Sequence, residues 1–379
     1  MTSQERRPAA TPDRSSGVIV HEWIERIGGA ERVLDAFVDM FPGTDVFCLW
    51  NEAPDRYPSA TVHESVLAST PLRGRKALSV PVLPLVWRGA ASVLGEREWA
   101  LVSSHLFAHH VRVPGVAPER QFSYVYTPAR YLWTPELDGR GAALPVRCVA
   151  PALRHVDRRR ARTLRNVAVV SEFVQERVRR TWGVESTVVH PPVEVSRLQG
   201  ADWADRLTAA ERELLESLPE GFLLGASRFV PYKRLDAVLD AGRATGRHVV
   251  LAGAGPDEGA LRAAAVEKGA SATFVIGPSD ALLAALMQRA AVYVFPPVED
   301  FGIMPVEAMA LGTPVVVNAT GGAAESAGEV GVVVPDLAPE TLREGVERAV
   351  GVPREACRAR AGAFSSERFA REITEWTSR

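Results

Sequence analysis

The sequence predicts an α/β protein of two domains, and three observations carry that prediction. Short apolar runs of strand length recur along the chain, and helical stretches separate them. At 379 residues the chain is long for one hydrophobic core and comfortable for two. Near its middle, a run TVVH at 187–190 ends in Pro191-Pro192, a pair that suits a hinge between domains.

The first domain opens on the strand GVIV at 17–20. Gly28-Gly29 follows, then a helix whose Val33, Leu34, Phe37 and Val38 fall on one apolar face. Strand, glycine pair and helix let backbone amides approach a phosphate, although such a pair can serve as a plain turn. Residues 45–50 and 100–103 read as the next strands. Between them, residues 70–94 are rich in proline, arginine and leucine with poor periodicity, as for two amphipathic helices with arginine stems along the surface. SSHLFA at 103–108 and FSYVYTPARYLW at 122–133 each lie where a strand ends and a helix starts, the usual place for ligands in open α/β sheets. For His105 alone, a structural role is the competing reading. The arginine-dense stretch 147–165 reads as a solvated helix face between the domains. VAVV at 167–170 is a strand, and Ser171 opens a helix that ends at Trp182-Gly183.

The second domain follows a polar helix around residues 202–218. GFLLGA at 221–226 is a strand, and SRFVPYKRLD comes directly after it. Arg228 and Lys233 stand near a helix start, a place cations normally avoid. Lys233 is one of three lysines, with Lys76 and Lys268, in a chain that uses arginine elsewhere, so codon bias did not place it. A surface Arg-Lys-Arg cluster, Lys233 and Arg234 with Arg228 nearby, is the plain alternative. GAGPDEG at 253–259 follows a strand and imitates a dinucleotide fingerprint. The acidic residue that a fingerprint needs about twenty residues on is missing, because TFVI at 273–276 runs into Gly277-Pro278-Ser279. An oxidoreductase is therefore set aside.

The densest pattern is VEDFGIMPVEAMALG at 298–312, between the apolar runs AVYVF and VVV. One short helix is expected there, with Pro305 as its first residue and Gly312 as a left-handed stop. Met304 cannot cap it, so the amides of Gly302, Ile303 and Met304 are expected to lack internal acceptors. Together with the helix dipole they favour an anion by ~0.3–2 kcal/mol. Glu299 on the loop and Glu307 in the expected first turn would compete with that anion, so they are read as holding hydroxyls of the same ligand. A dipole-favoured glutamate beside an ordinary acidic loop is the plain alternative. The chain ends on SSERFAREITEWTSR, a helix with Phe369, Ile373 and Trp376 on one side.

The apolar fraction is 46% and the net charge −2, so nothing global argues for nucleic acid. Cys48, Cys148 and Cys357 are scattered and odd in number, as for reduced thiols in a cytoplasm. No CxxC or His/Cys run suggests a structural metal. Residues 1–16 are polar with no apolar core and read as a disordered tail, not a signal peptide. Residues 77–94, interrupted by Pro81, Pro84 and Arg88, are no membrane span.

The block from Glu299, E-D-F-G-I-x-P-x-E-A-M-A-x-G-x-P-V-V, resembles the E-x7-E motif of family 4 glycosyltransferases, retaining enzymes of the GT-B fold. SSHLFA and FSYVYTPARYLW resemble a bacterial subgroup of that family reading SSHxFA and YxHTPxRYLW, and the likeness covers nearly the whole folded chain. It implies a fold of two Rossmann-like, doubly wound α/β domains facing a cleft. Residues 17–190 would form the acceptor domain and 191–358 the donor domain, with a helix at 359–379 returning to the first. It also implies that Arg228 and Lys233 face the donor diphosphate, Glu299 the donor sugar and Glu307 the ribose diol. Gly28 and Gly29 would reach the donor from the opposite domain, and Ile276 and Gly277 would meet the nucleobase. Ser227, Gly253, Phe301, Gly302, Ile303 and Met304 would complete the donor site. His105 and Tyr126 join Arg228, Lys233 and Glu299 as the catalytic set, and residues 70–94 would hold the acceptor, in some relatives at a membrane surface.

The implied activity is transfer of a sugar from a nucleotide diphosphate sugar to an acceptor hydroxyl with retained configuration, GDP donors being favoured over UDP. No D-x-D occurs in the chain, so no metal or other cofactor is expected beside that co-substrate. Acceptor and oligomeric state stay open. The subgroup's histidine touches the donor 6-hydroxyl, and here Tyr126 replaces it. A bulkier side chain there implies a deoxy sugar, a pentose or a modified sugar, unless the tyrosine reaches the same oxygen or turns away. A sugar-nucleotide epimerase, a pseudo-glycosyltransferase and a non-catalytic nucleotide-sugar binder remain as rivals.

Overall fold

The computed structural model describes residues 16–26, 28–89, 91–135 and 144–378, so the N-terminal tail and the side chain of Cys148 lie outside the account. The chain divides into two units, Met1–Pro192 with Glu367–Arg379, and Val193–Ser366.

The first unit holds a seven-stranded sheet: β1 (Gly17–His21), β2 (Asp45–Cys48), β3 (Val62–Glu64), β4 (Trp99–Ser104), β5 (Gln121–Val125), β6 (Asn166–Val169) and β7 (Thr187–Val188). Its order is β3-β2-β1-β4-β5-β6-β7, and every pairing is parallel. Strands covered on both faces need apolar side chains on both, which is why β1 and β4 are buried along their whole lengths. The order turns between β1 and β4, and that reversal leaves a crevice at the carboxyl ends of the two strands. β3 has only three residues, all half-buried, too short a stretch for an apolar pattern to announce it.

Helix Gly29–Met40 buries Val33, Leu34, Phe37 and Val38 as its periodicity requires. Helix Glu172–Trp182 starts where Ser171 accepts the Val174 amide, and it stops at Gly183, whose φ of 67° is left-handed. Helix Ser366–Thr377 completes this unit with its buried Phe369, Ile373 and Trp376. Phe369 packs 5.6 Å from Phe37, and Trp376 lies 5.4 Å from Phe122, edge to face. Residues 70–94 form three short helices, Lys76–Ser79, Leu83–Gly89 and Ala91–Leu94. Leu83 and Trp87 enter the core, while Leu78 and Leu85 stay 63% and 68% exposed. No helix among the described residues is long and apolar enough to cross a membrane.

The second unit repeats the winding with β8 (Leu223–Ala226), β9 (Val249–Gly253), β10 (Ala272–Ile276), β11 (Val292–Phe295), β12 (Val315–Asn318) and β13 (Val332–Val334), in the order β10-β9-β8-β11-β12-β13, all parallel. Its reversal falls between β8 and β11. The helix after β11 runs Ile303–Ala310 and corrects the sequence reading by two residues. Pro305 is its third residue and Glu307 lies in the second turn. Gly302 makes the earlier start possible by taking φ +92° as the cap, and a proline at the third position forfeits no in-helix bond. The stop at Gly312, φ +84°, is where the sequence puts it.

Candidate active site

In the second unit the expected residues gather where the strand order reverses. Arg228 and Lys233 follow β8, and Glu299 follows its neighbour β11. The Lys233 ammonium lies 2.6 Å from Glu299 Oε1, with side chains only 14% and 17% exposed. Arg228 donates to the Tyr232 hydroxyl at 2.8 Å, and Lys233 Nζ stands 5.3 Å from the centre of the same ring. Two cations thus share one tyrosine that is itself 38% exposed. The segment is set by a 3₁₀ turn, Pro231–Lys233, that ends on Arg234 at φ +51°, and Asp236 holds the Arg234 guanidinium through two contacts of 3.1 and 3.2 Å. Among the described residues Arg234 is the one non-glycine with positive φ.

Glycines place the surrounding loops. A Cβ at Gly253 would sit 1.8 Å from the Ser227 carbonyl oxygen, and one at Gly255 would sit 2.3 Å from that of Phe229. The Ser227 and Phe229 amides donate to Ala252 and Ala254. The G-x-G that imitates a dinucleotide fingerprint therefore packs backbone against backbone under the Arg228 loop. Gly277 donates its amide to Gly253, and Ile276 is exposed beside it at the end of β10. Gly322 likewise admits the Asp300 carbonyl, 2.1 Å from where its Cβ would be, and donates to the Glu299 carbonyl.

The helix that starts at Ile303 has no side-chain cap and no acidic residue in its first turn, as an anion site requires. Gly302 is buried, and Ile303, Met304 and Glu307 are half-buried. Phe301 packs into the core, 5.4 Å from Phe364. Tyr293, missed by the sequence reading, donates from a buried hydroxyl to the Ala226 carbonyl and lies 3.7 Å from Met304 sulfur, tying the end of β8 to that helix start.

In the first unit the candidates again lie at strand ends beside the reversal. His105, after β4, has Nδ1 3.3 Å from Glu22 Oε2 and a side chain 25% exposed. Trp23, His21 and Tyr126 surround its ring at 4.9, 5.7 and 6.2 Å. The Tyr126 hydroxyl donates to the Ala30 carbonyl at 3.1 Å and meets Ser103 Oγ at 3.0 Å, and burial pushes its pKa far up. Because that proton is used on Ala30, Ser103 must donate to Tyr126 and accept from His21 Nδ1 at 2.9 Å. His21 is then neutral with its proton on Nδ1, consistent with burial lowering its pKa to about 3. The chain of bonds ends at Ala30, next to Gly29, and so fixes the glycine loop from behind. Glu31 folds over that loop: its Oε2 is 1.9 Å from where a Gly28 Cβ would be. Its carboxyl accepts the Glu25 amide, and burial raises its pKa.

A second buried group escaped the sequence reading. Asp157 accepts from His109 and His110 through one oxygen, at 2.9 and 3.0 Å, and from the Trp133 and Trp182 indoles through the other, at 2.7 and 2.8 Å. Two histidines and an aspartate converge as metal ligands do, yet each contact here is a hydrogen bond to a carboxylate; burial would raise its pKa, and His109 and His110 hold it low instead.

With this geometry in place, residues 209–363 match the family model described as glycosyl transferases group 1. A D-inositol 3-phosphate glycosyltransferase of Jonesia denitrificans is 30% identical over 217 residues, 51% of this chain and 46% of that protein. One from Mycobacterium avium is 35% identical over 144 residues, 36% of this chain and 33% of that protein. The chain thus spans less than half the length of these curated relatives. Among solved structures, a sucrose-phosphate synthase of Thermosynechococcus elongatus superposes with a TM-score of 0.69 at 18% identity, covering 95% of this chain and 98% of that one. Anabaena HepE, in complex with UDP and glucose, gives 0.70 at 17%, covering 94% and 98%.

Proposed function

We propose, for a GT-B chain whose second unit carries a group 1 glycosyltransferase domain as the family 4 resemblance implies, that it transfers a sugar from a nucleotide diphosphate donor to an acceptor hydroxyl. The observation that supports this most is the cluster of Arg228, Tyr232, Lys233 and Glu299 at the strand-order reversal of the second sheet, beside the uncapped helix at Ile303. Arg228, Lys233 and the amides of Gly302, Ile303 and Met304 stabilise the departing diphosphate as its charge grows. Glu299 orients the donor sugar and Glu307 the ribose. Ser227, Gly253, Ile276 and Gly277 form the base and phosphate wall.

The reaction retains configuration. The bond from the anomeric carbon to the diphosphate breaks with its electron pair leaving on the phosphate. The acceptor oxygen bonds that carbon from the same face, and its proton passes to the departing phosphate oxygen. Since those cations and amides meet the phosphate charge, no divalent ion is required, and turnover continues in EDTA; loss on chelation with recovery on adding magnesium would refute this. In the first unit, the resemblance gives His105 and the loop at Gly28-Gly29 a part in donor binding. The exposed Leu78 and Leu85, with Arg75 and Lys76 close in sequence, suit an acceptor carrying both apolar and anionic groups.

The deciding experiment measures nucleotide diphosphate release from a panel of GDP- and UDP-sugars, with and without acceptors that include a cyclitol phosphate. Both bases belong in it, since the resemblance favours GDP and HepE was solved with UDP. Release that depends on an acceptor is expected. Donor rearrangement or hydrolysis with no acceptor would mark an epimerase, and binding without release a non-catalytic protein.

A further inference from the structure

Three cations stand around the turn that follows β8, and they are held in different ways. Asp236 grips the Arg234 guanidinium through two contacts, and Glu299 takes the Lys233 ammonium. Arg228 has no such carboxylate among the described residues. Its hydrogen-bond partner there is the neutral Tyr232 hydroxyl, 2.8 Å from Nη2. A guanidinium can only donate, so the phenol oxygen accepts. A carboxylate in that place would cancel the charge a diphosphate needs. A phenol fixes the side chain through a charge-assisted bond and leaves the charge intact.

The fold itself does not ask for an aromatic residue at 232, which is exposed and outside the core. The turn closes through its backbone: the Val230, Lys233 and Arg234 amides donate to the carbonyls of Arg228, Val230 and Pro231 at 3.0, 3.0 and 3.1 Å. Phe229, fully buried, anchors its base. The Tyr232 ring also meets Lys233, whose Nζ is 5.3 Å from the ring centre, so the residue that holds one cation is tied to the other.

We propose that Tyr232 is the positioning residue for Arg228: its hydroxyl holds the guanidinium in the diphosphate site before the donor arrives. An exposed arginine samples many rotamers, and ordering it in advance removes that cost from binding. That the ordered cation meets a diphosphate rests on the transferase reading; the bond between the two side chains does not.

Tyr232→Phe removes the hydroxyl and keeps the ring. In the ¹⁵N-arginine-labelled full chain, the Arg228 Nη signals, assigned with Arg228→Ala, should show slowed rotation about Cζ–Nη in the wild type and fast rotation in Tyr232→Phe. GDP, UDP and inorganic pyrophosphate serve as calorimetric probes. For each that binds, Tyr232→Phe should weaken affinity about 3- to 10-fold in the wild-type background, the size of one ordinary hydrogen bond, and less than about twofold in Arg228→Ala. Arg228 signals that do not respond to Tyr232→Phe would overturn the proposal, as would an unchanged affinity. Equal losses in both backgrounds would overturn it too, because Tyr232 would then act on the phosphate or the fold and not through Arg228. If no probe binds the wild type, the diphosphate reading fails and the positioning role with it, while the arginine signals still decide whether Tyr232 holds Arg228.

Discussion

Replacing Lys233 by alanine removes one of two cations from the cluster and one half of an ion pair. Two unit charges about 3.5 Å apart attract by about 5 kcal/mol at an effective dielectric of 20, and desolvation offsets most of that. Both side chains are mostly but not wholly buried, so the stability lost should be about 1–3 kcal/mol, below the range for fully buried pairs. Adding Glu299→Gln should recover most of it, because the carboxylate that lost its cation is then neutral. Activity should fall further than stability suggests. A missing charge-assisted bond to the departing diphosphate is worth about 1.5–3 kcal/mol, or about 10- to 150-fold in kcat/KM. The loss should appear in kcat as well as KM, because the diphosphate gains charge in the transition state. Urea unfolding measures the first quantity and nucleotide release the second. A folded Lys233→Ala protein that keeps more than about a tenth of wild-type kcat/KM, a loss under ~1.4 kcal/mol, removes Lys233 from the mechanism.

Three further outcomes are expected. At position 234 the backbone is left-handed, so Arg234→Gly should be more stable than Arg234→Ala by about 1 kcal/mol in chemical unfolding, reversing the usual order of those residues; equal stabilities would show that φ there relaxes. His21 and His110 have pKa values lowered to about 3 and about 4 by burial, so the folded state binds fewer protons than the unfolded one below the ordinary value of 6.5. Stability should therefore fall as pH drops from about 6.5 toward 4, by about 1.4 kcal/mol per pH unit for each histidine. His21→Asn, which keeps a donor toward Ser103, should remove about half of that slope, and a flat profile from pH 7 to 5 would contradict the burial argument. Tyr126→His should shift relative kcat/KM toward ordinary hexose donors over 6-deoxy ones, and an unchanged ratio between the two would end the idea that Tyr126 selects the donor.

Much of this molecule could be read before its coordinates. Strands buried on both faces declare themselves as apolar runs, and the left-handed stops at Gly183 and Gly312 fell where glycine was required. Arg228 and Lys233, which the resemblance assigns to one donor site with Glu299, lie more than sixty residues before it in sequence and share one cluster with it. What the sequence hid were contacts that depend on three-dimensional neighbours. Glu22 looks like any charge after a strand, and only the fold of residues 105–108 around its oxygens gives it a role. Tyr232 passes for a surface aromatic until two cations are seen beside it. The start at Ile303 was misjudged because a proline signals a first turn without saying which residue of it. A left-handed Gly302 supplied an entry that proline statistics do not contain.

The Asp157 carboxylate, which receives two indoles, also has an optical consequence. Of the eight tryptophans in the chain, Trp203 alone lies within Val193–Ser366, and the other seven belong to the first unit. Intrinsic emission is therefore almost entirely a property of one half of the molecule, and Trp133 and Trp182 lose a charged hydrogen-bond partner when that half comes apart. Circular dichroism, by contrast, sees the helices of both halves. Recorded on one denaturant series, the two signals coincide if the halves melt as a single cooperative body and separate if each melts alone. The uneven placement of one residue type thus lets the protein report its own cooperativity without any added label.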